Sequence, residues 1–380
     1  MASASSPAAV AASRRPGTRL APPLPLVAGL TLVAIGGAVL LDGAEDQPSE
    51  IGIEFHTFQD SRGVTVQSPA VDLTRDFTDR TALRAKFGVD AISAASDSCV
   101  RCHSQGVSNR RVTLAASLVR KLTDAKLSLG AEFSQENFYR ATTILTSGSR
   151  NFNKANTTVA GGFSVSRNQP TLHPRRVSRS QTTENAFVSL TQTLARSTVA
   201  QVGYEFGHIG GYQNDPFLRA FVNGELLLGN NPDRRTRHTF TLRLRQALPA
   251  QTYLEADYRH YFDDWSIHSN SVSVGLSRQF TPEFLLHFGY RRYDQTGAFF
   301  YAPEYFGFPE FFTSDFRLEP FTSNLFTGRT VFTPRHGLWF LPPGAGITAQ
   351  YDRYSSDTDF LAGIFTVRLK IPLGNRTGSP

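Results

Sequence analysis

The stretch "DSCVRCHSQG", residues 97–106, concentrates more reactive chemistry than any other in this chain. It holds both cysteines, Cys99 and Cys102, with His103 directly after them. Three chemistries fit that spacing. In a c-type haem site, the two sulfurs form thioethers to the porphyrin and His103 is the proximal iron ligand. In an exported protein, the same pair closes a small disulfide loop and His103 is incidental. A zinc corner needs a fourth ligand, such as Asp97 or another histidine, and nothing nearby repeats the pair.

Haem also asks for a second axial ligand. The single methionine is Met1, at the start of the chain. That leaves His56, His173, His208, His238, His260, His268, His287 and His336, a weaker ligand or an open site. The strand pattern described below sets His56, His173, His208 and His268 at or near one rim. Haem c at this loop implies electron transfer across the outer envelope, with multihaem or periplasmic redox partners. One haem does not bridge a hydrocarbon layer of about 25 Å alone. Without haem, no cofactor is expected. No nucleophile elbow, phosphate loop or paired metal motif occurs, so the chain is not expected to be an enzyme.

The elements that carry the loop are strands. Of 380 residues, 40% are hydrophobic, with 30 Phe and 30 Gly; Thr, Ser, Val, Phe and Tyr suit a pleated surface. The first stretch differs: Arg14, Arg15 and Arg19 precede an apolar run from Leu20 to Leu41, and Asp42, Glu45 and Asp46 follow. This reads as a cleaved signal peptide over 1–44, with a retained anchor as the alternative. Lys and Arg total 39 against 32 Asp and Glu. They are scattered rather than striped, which excludes a nucleic-acid surface.

Beyond the leader, segments alternate apolar and polar residues over nine to thirteen positions. In "RHTFTLRLRQAL", Phe240, Leu242, Leu244 and Leu248 oppose Thr241, Arg243 and Arg245. In "TYLEADYRHYF", Leu254, Ala256, Tyr258 and Phe262 oppose Glu255, Asp257 and Arg259. Such length exceeds that of ordinary sandwich strands. Short turns alternate with long segments at 92–109, 167–183, 210–235 and 296–325, and charges stand in mid-strand. These are the marks of an all-β transmembrane barrel in the bacterial outer membrane, in contact with lipid and lipopolysaccharide. Strands are expected at 50–58, 64–76, 81–91, 110–121, 126–134, 139–147, 156–166, 184–194, 198–208, 237–248, 252–264, 269–280, 284–294, 326–333, 345–354 and 360–373. That is about sixteen within a range of 14–18; 139–147 is the weakest and is supported by parity. The barrel occupies 45–373, with a short tail at 374–380.

Five segments stand out together: Ser68–Ser96, "GYQNDPF" (Gly211–Phe217), "YRHYFDDWSIHS" (Tyr258–Ser269), "RRYDQTGAFFY" (Arg291–Tyr301) and the closing "YDRYSSDTDFLAGIFTVRLKIPL". With them the chain resembles an outer-membrane β-barrel family known as domain of unknown function 3570. The resemblance implies an outer-membrane barrel and says little about activity.

Other features carry paired readings. Arg243, Arg245, Glu255, Asp257 and Arg259 form either a charge filter in the lumen or a cross-strand ion-pair ladder. "AFFYAPEYFGFPEFF" (Ala298–Phe312) is a constriction, a stacking platform for glycans or flavins, or a loop packed over the barrel mouth. Trp265 suits an interfacial belt, and Asp263 with Asp264 a cation. Arg175, Arg176 and Arg179, with Arg234, Arg235 and Arg237, suit lipopolysaccharide or plain solvation. Two functional expectations follow: an electron-transfer barrel with haem, or a porin-like or structural barrel with a Cys99–Cys102 disulfide.

Overall fold

The computed structural model describes residues 49–94, 107–172, 177–215, 218–337 and 341–373. The leader, the Cys99–His103 motif and the tail lie outside the described residues. The strands are β1 (Glu50–Asp60), β2 (Val64–Thr78), β3 (Thr81–Ala94), β4 (Val107–Lys121), β5 (Ala125–Gln135), β6 (Tyr139–Phe152) and β7 (Thr157–Leu172). They continue as β8 (Val177–Ser178), β9 (Gln181–Ala195), β10 (Thr198–Gly211), β11 (Arg219–Val222), β12 (Glu225–Leu228) and β13 (Arg234–Leu248). The last six are β14 (Thr252–Asp263), β15 (His268–Thr281), β16 (Phe284–Gln295), β17 (Phe321–Phe332), β18 (Gly346–Ser356) and β19 (Leu361–Pro372).

Sixteen of them form one antiparallel barrel, each paired with its neighbour in the chain. The barrel closes where β1 pairs with both β2 and β19. The two-residue β8 pairs antiparallel with the end of β7, and β11 with β12 forms a separate hairpin above the barrel. All sixteen expected strands are present. The weakest of them, 139–147, is a fourteen-residue strand.

Alternation decides which side chain faces where. On β13, Phe240, Leu242 and Leu244 are exposed on the outer face, as are Val272, Val274 and Leu276 on β15. Leu129 and Ile144, 62% and 61% exposed, continue that apolar surface. In water so large an apolar surface would aggregate; facing lipid, it is what holds the barrel in place. Among the described residues no helix is long and apolar enough to cross a membrane. The strands therefore do the spanning, and closure leaves no open backbone edge in the hydrocarbon.

Most turns on one rim are brief: 79–80, 122–124, 153–156, 196–197, 249–251 and 282–283. The long segments 212–233 and 296–320 rise from the other rim, at which β3 ends and β4 begins. The hairpin β11–β12 had no counterpart in the expected strands. Its turn is Asn223-Gly224, with φ of 50° and 83°, the left-handed pair that a two-residue hairpin requires.

The inside–outside assignment is testable on two adjacent residues of β13. Leu242→Arg puts a charge in lipid and is expected to cost about 2–4 kcal/mol. Thr241→Arg, pointing into the lumen, is expected to cost under about 1 kcal/mol. Equilibrium unfolding in lipid vesicles reads the difference.

Candidate functional site

The inner face of the barrel carries the charges. The β13–β14 register sets Arg243 opposite Asp257 and Arg245 opposite Glu255. The side chains meet at 3.2 Å and 3.7 Å, and Arg259 reaches past β13 to Glu205 on β10 at 3.8 Å. All five expected lumen charges are thus brought together, and they form the cross-strand ladder rather than a bare filter. Their exposure matters as much as their pairing. Arg245 is 70% exposed, Arg259 43% and Asp257 40% at the side chain, although all three point inward. Inward side chains exposed to this degree face water, so the lumen is hollow at this level. Ion pairs so wet contribute little stability, typically about 0–1 kcal/mol each.

A second set of pairs lies at the seam. Arg368 on β19 contacts Asp72 at 3.0 Å and Glu54 at 3.6 Å, and Lys370 contacts Glu50 at 3.3 Å. Between the two charged arcs, β6, β7 and β9 present uncharged polar groups to the lumen. Thr143 donates to Ser166, Ser166 to Asn168, and Asn168 to Gln181 and Thr183. The signal missed in the sequence was Arg291 and Arg292, adjacent on β16. Alternation turns Arg291 inward, beside Ser273, while Arg292 turns out beside Val272.

The mouth is organised around Asp263. Its Oδ2 accepts from Arg235 Nε and Nη2 at 2.8 and 2.6 Å and from the Tyr261 hydroxyl at 2.6 Å. Its Oδ1 accepts from the backbone N–H of Trp265 and Ile267 at 3.0 Å. Asp263 is therefore an anchor for the β14–β15 turn, with Arg235 as its cation. Asp264 accepts from the Thr236 N–H. Trp265 is not an interfacial belt residue: it is 3% exposed, packs edge-on to Phe300 at 5.0 Å and lies 4.4 Å beneath Arg235. Ser266, at φ 64°, reverses the chain within this turn. Arg235 and Arg237 also face inward, Arg237 donating to Asn185, and are not a lipopolysaccharide surface. Arg175 and Arg176 lie outside the described residues.

The aromatic segment Ala298–Phe312 packs over the mouth. Phe300, Ala298 and Leu318 form a buried cluster with Trp265 and Ile267. Farther along, Tyr305 packs with Ala220 and Val222 of the hairpin, and Asn223 exchanges two hydrogen bonds with Gly307. The Tyr305 hydroxyl accepts from the N–H of Ala302 and Thr313 and has the carbonyls of Phe300 and Thr313 at 2.7 and 2.8 Å. Arg317 meets Asp315 at 2.6 Å and Asp215 at 3.1 Å. Burial opposes its charge, yet the two carboxylates hold its pKa above the usual guanidinium value. Beyond it, Phe316 lies under Arg62 of the β1–β2 turn, 5.1 Å from the guanidinium. Loops 212–233 and 296–320 thus form one lid, which reaches from β10 to the seam.

The histidines divide. His208, His238, His260 and His268 sit on the outward face of β10, β13, β14 and β15, among Tyr204 and Phe262. His56 is not at the rim: it lies inside the barrel against Thr366, at 2.9 Å. His287 is buried on Ser277, and His173 lies outside the described residues. No described histidine stands at the ends of β3 and β4, which carry the cysteine loop. Among the described residues no group of three metal-ligating side chains assembles.

An apolar girdle, a closed antiparallel sheet and a wet, charged interior define an outer-membrane β-barrel. The chain belongs to the family described as "Protein of unknown function (DUF3570)", whose profile matches residues 101–180 and 171–328. No curated protein matches the sequence. Among solved structures, a bacterial polysaccharide outer membrane secretin shares the fold, with a TM-score of 0.51 at 10% identity over 87% of this chain and 100% of that one. OccK11 (OpdR) of Pseudomonas aeruginosa matches at TM-score 0.44 and 10% identity, over 86% of this chain and 96% of its own. The siderophore receptor PirA of the same organism matches at TM-score 0.44 and 14% identity. The match covers 82% of this chain and 57% of the receptor.

The lid is testable at one atom. Tyr305→Phe strands the buried N–H of Thr313, at about 1–3 kcal/mol, and the half-buried N–H of Ala302. Limited chymotryptic cleavage within 296–320, a segment rich in Phe and Tyr, is expected to become faster.

Proposed function

We propose that this protein is a porin-like channel for small polar solutes across the outer membrane. The observation that supports this most is the exposure of inward-facing charges such as Arg245 and Arg259, which a filled lumen would bury. The lid narrows the entrance from one side and acts as a size limit. No catalytic step is proposed. The test is reconstitution of the full mature chain in planar bilayers. Discrete conductance steps in potassium chloride are expected, with larger steps for Tyr305→Phe. A silent bilayer, together with liposomes that stay impermeable to small sugars, would make the barrel a structural one.

A second reading rests on the Cys99-x-x-Cys102-His103 run: one haem c on the loop between β3 and β4, with His103 as proximal ligand, serving electron transfer. Thioether bonds to haem and a Cys99–Cys102 disulfide use the same two sulfurs, so each reading excludes the other. Peroxidase staining on a denaturing gel, after expression with c-type cytochrome maturation, separates the two. The channel reading expects no stain, and no thiol titrating before reduction. A stain that disappears in Cys99→Ala/Cys102→Ala would establish the haem.

A further inference from the structure

The charges of the lumen are not distributed evenly, and this bears on what passes through it. On the arc made by β10 and β13–β17, alternation turns seven arginines inward and only four carboxylates. The carboxylates are Glu205, Glu255, Asp257 and Asp263, and each is engaged with an arginine already described. Arg237, Arg291 and Arg329 are left over. Among the described residues, Arg237 finds only the Asn185 amide, and Arg291 and Arg329 have no carboxylate within ion-pair distance. Arg329 Nε is buried with no hydrogen-bond partner. The carboxylate nearest to Arg329 in register, Asp352, is taken up instead by Thr327 and Gln350.

The rest of the wall does not offset this excess. The strands β6, β7 and β9 turn no charge inward. On β18, β19 and β1–β5, seven inward cations stand against eight carboxylates, close to balance.

The arginines also form a descending track. Arg259 shares a row with Ser271 and Tyr293, and Arg291 stands one row farther from the mouth, with Ser273. Arg329 stands two rows farther again, opposite His287. Rows of inward residues are about 7 Å apart along a strand, so an anion leaving one guanidinium is within reach of the next. Between them β15 offers only Ser271, Ser273 and Gly275 to the lumen, side chains too short to cover the arginines. Arg291 accordingly remains exposed inside the barrel.

We infer that the lumen is selective for small anions, and that Arg291 and Arg329 are the residues that set this selectivity. The inference rests on the channel reading and adds the class of solute. Guanidinium groups without carboxylate partners attract anions through a water-filled passage, and several spaced sites let an ion leave as well as enter. Inorganic chloride and small organic carboxylates share the chemistry that this track recognises.

The experiment is the reversal potential across a planar bilayer with a potassium chloride gradient, repeated with potassium acetate. The wild-type channel is expected to pass chloride and acetate several-fold more readily than potassium. Arg291→Gln/Arg329→Gln should keep its open-channel conductance steps and bring the permeability ratio to one or below. Arg291→Lys/Arg329→Lys should restore anion preference. The paired control, Arg243→Gln/Asp257→Asn, removes an arginine already neutralised and should leave the ratio unchanged. A wild-type channel that is cation-selective or indifferent would overturn the inference while leaving the channel reading in place. So would a Gln variant with unaltered selectivity. Absence of any conductance would overturn both.

Discussion

Everything in this molecule depends on one requirement: in hydrocarbon, each backbone N–H and C=O must find a partner within the protein. Water is not there to serve a free edge. A sheet meets that requirement only by closing on itself, which β1 does by pairing along its length with β2 on one side and β19 on the other. Closure then fixes what each side chain can be. The period of two divides every strand into a lipid face, where Phe240, Leu242 and Leu244 are stable, and a lumen face, where Arg243 and Arg245 are. Wet polar chemistry inside and apolar chemistry outside are two results of the same backbone constraint.

Because the lumen is wet, its charges need no perfect partners. Buried ions would demand close, well-satisfied pairing. Here pairs at 3.7 and 3.8 Å are tolerated, and some arginines go without. At the mouth, where water is excluded, the standard is stricter: Asp263 is fully occupied by Arg235, Tyr261 and two backbone N–H groups.

The barrel was legible in the sequence because its signal is periodic and repeated, so even the strand at 139–147 could be placed by parity. The facing of Arg243, Arg245, Glu255, Asp257 and Arg259 was legible for the same reason. Their pairing in a cross-strand ladder was one of two readings, and the individual partners stayed open because they depend on register, which two-residue periodicity leaves free. Trp265 misled because belt residues are expected at strand ends, whereas the turn at Ser266 folds this one inward. The β11–β12 hairpin was readable from Asn223-Gly224 but was hidden within a long loop. That Ala298–Phe312 packs over the mouth was among the readings its aromatic composition allowed; its partners were not, because contacts such as Val222 with Tyr305 or Arg62 with Phe316 join loops far apart in the chain. No local pattern announces them.

The seam has a further consequence for how the barrel is completed. Arg368 and Lys370 both sit on the final strand, and their partners Glu50, Glu54 and Asp72 sit on the first two. Until the last strand arrives, three acidic groups stand together without their cations, beside an edge that lacks its hydrogen bonds. Arrival of β19 removes both defects in one step. A barrel still lacking the twelve residues of β19 is therefore marked by an exposed edge and by acids without their β19 partners at the same place. An unfinished product is thereby chemically distinct from a finished one.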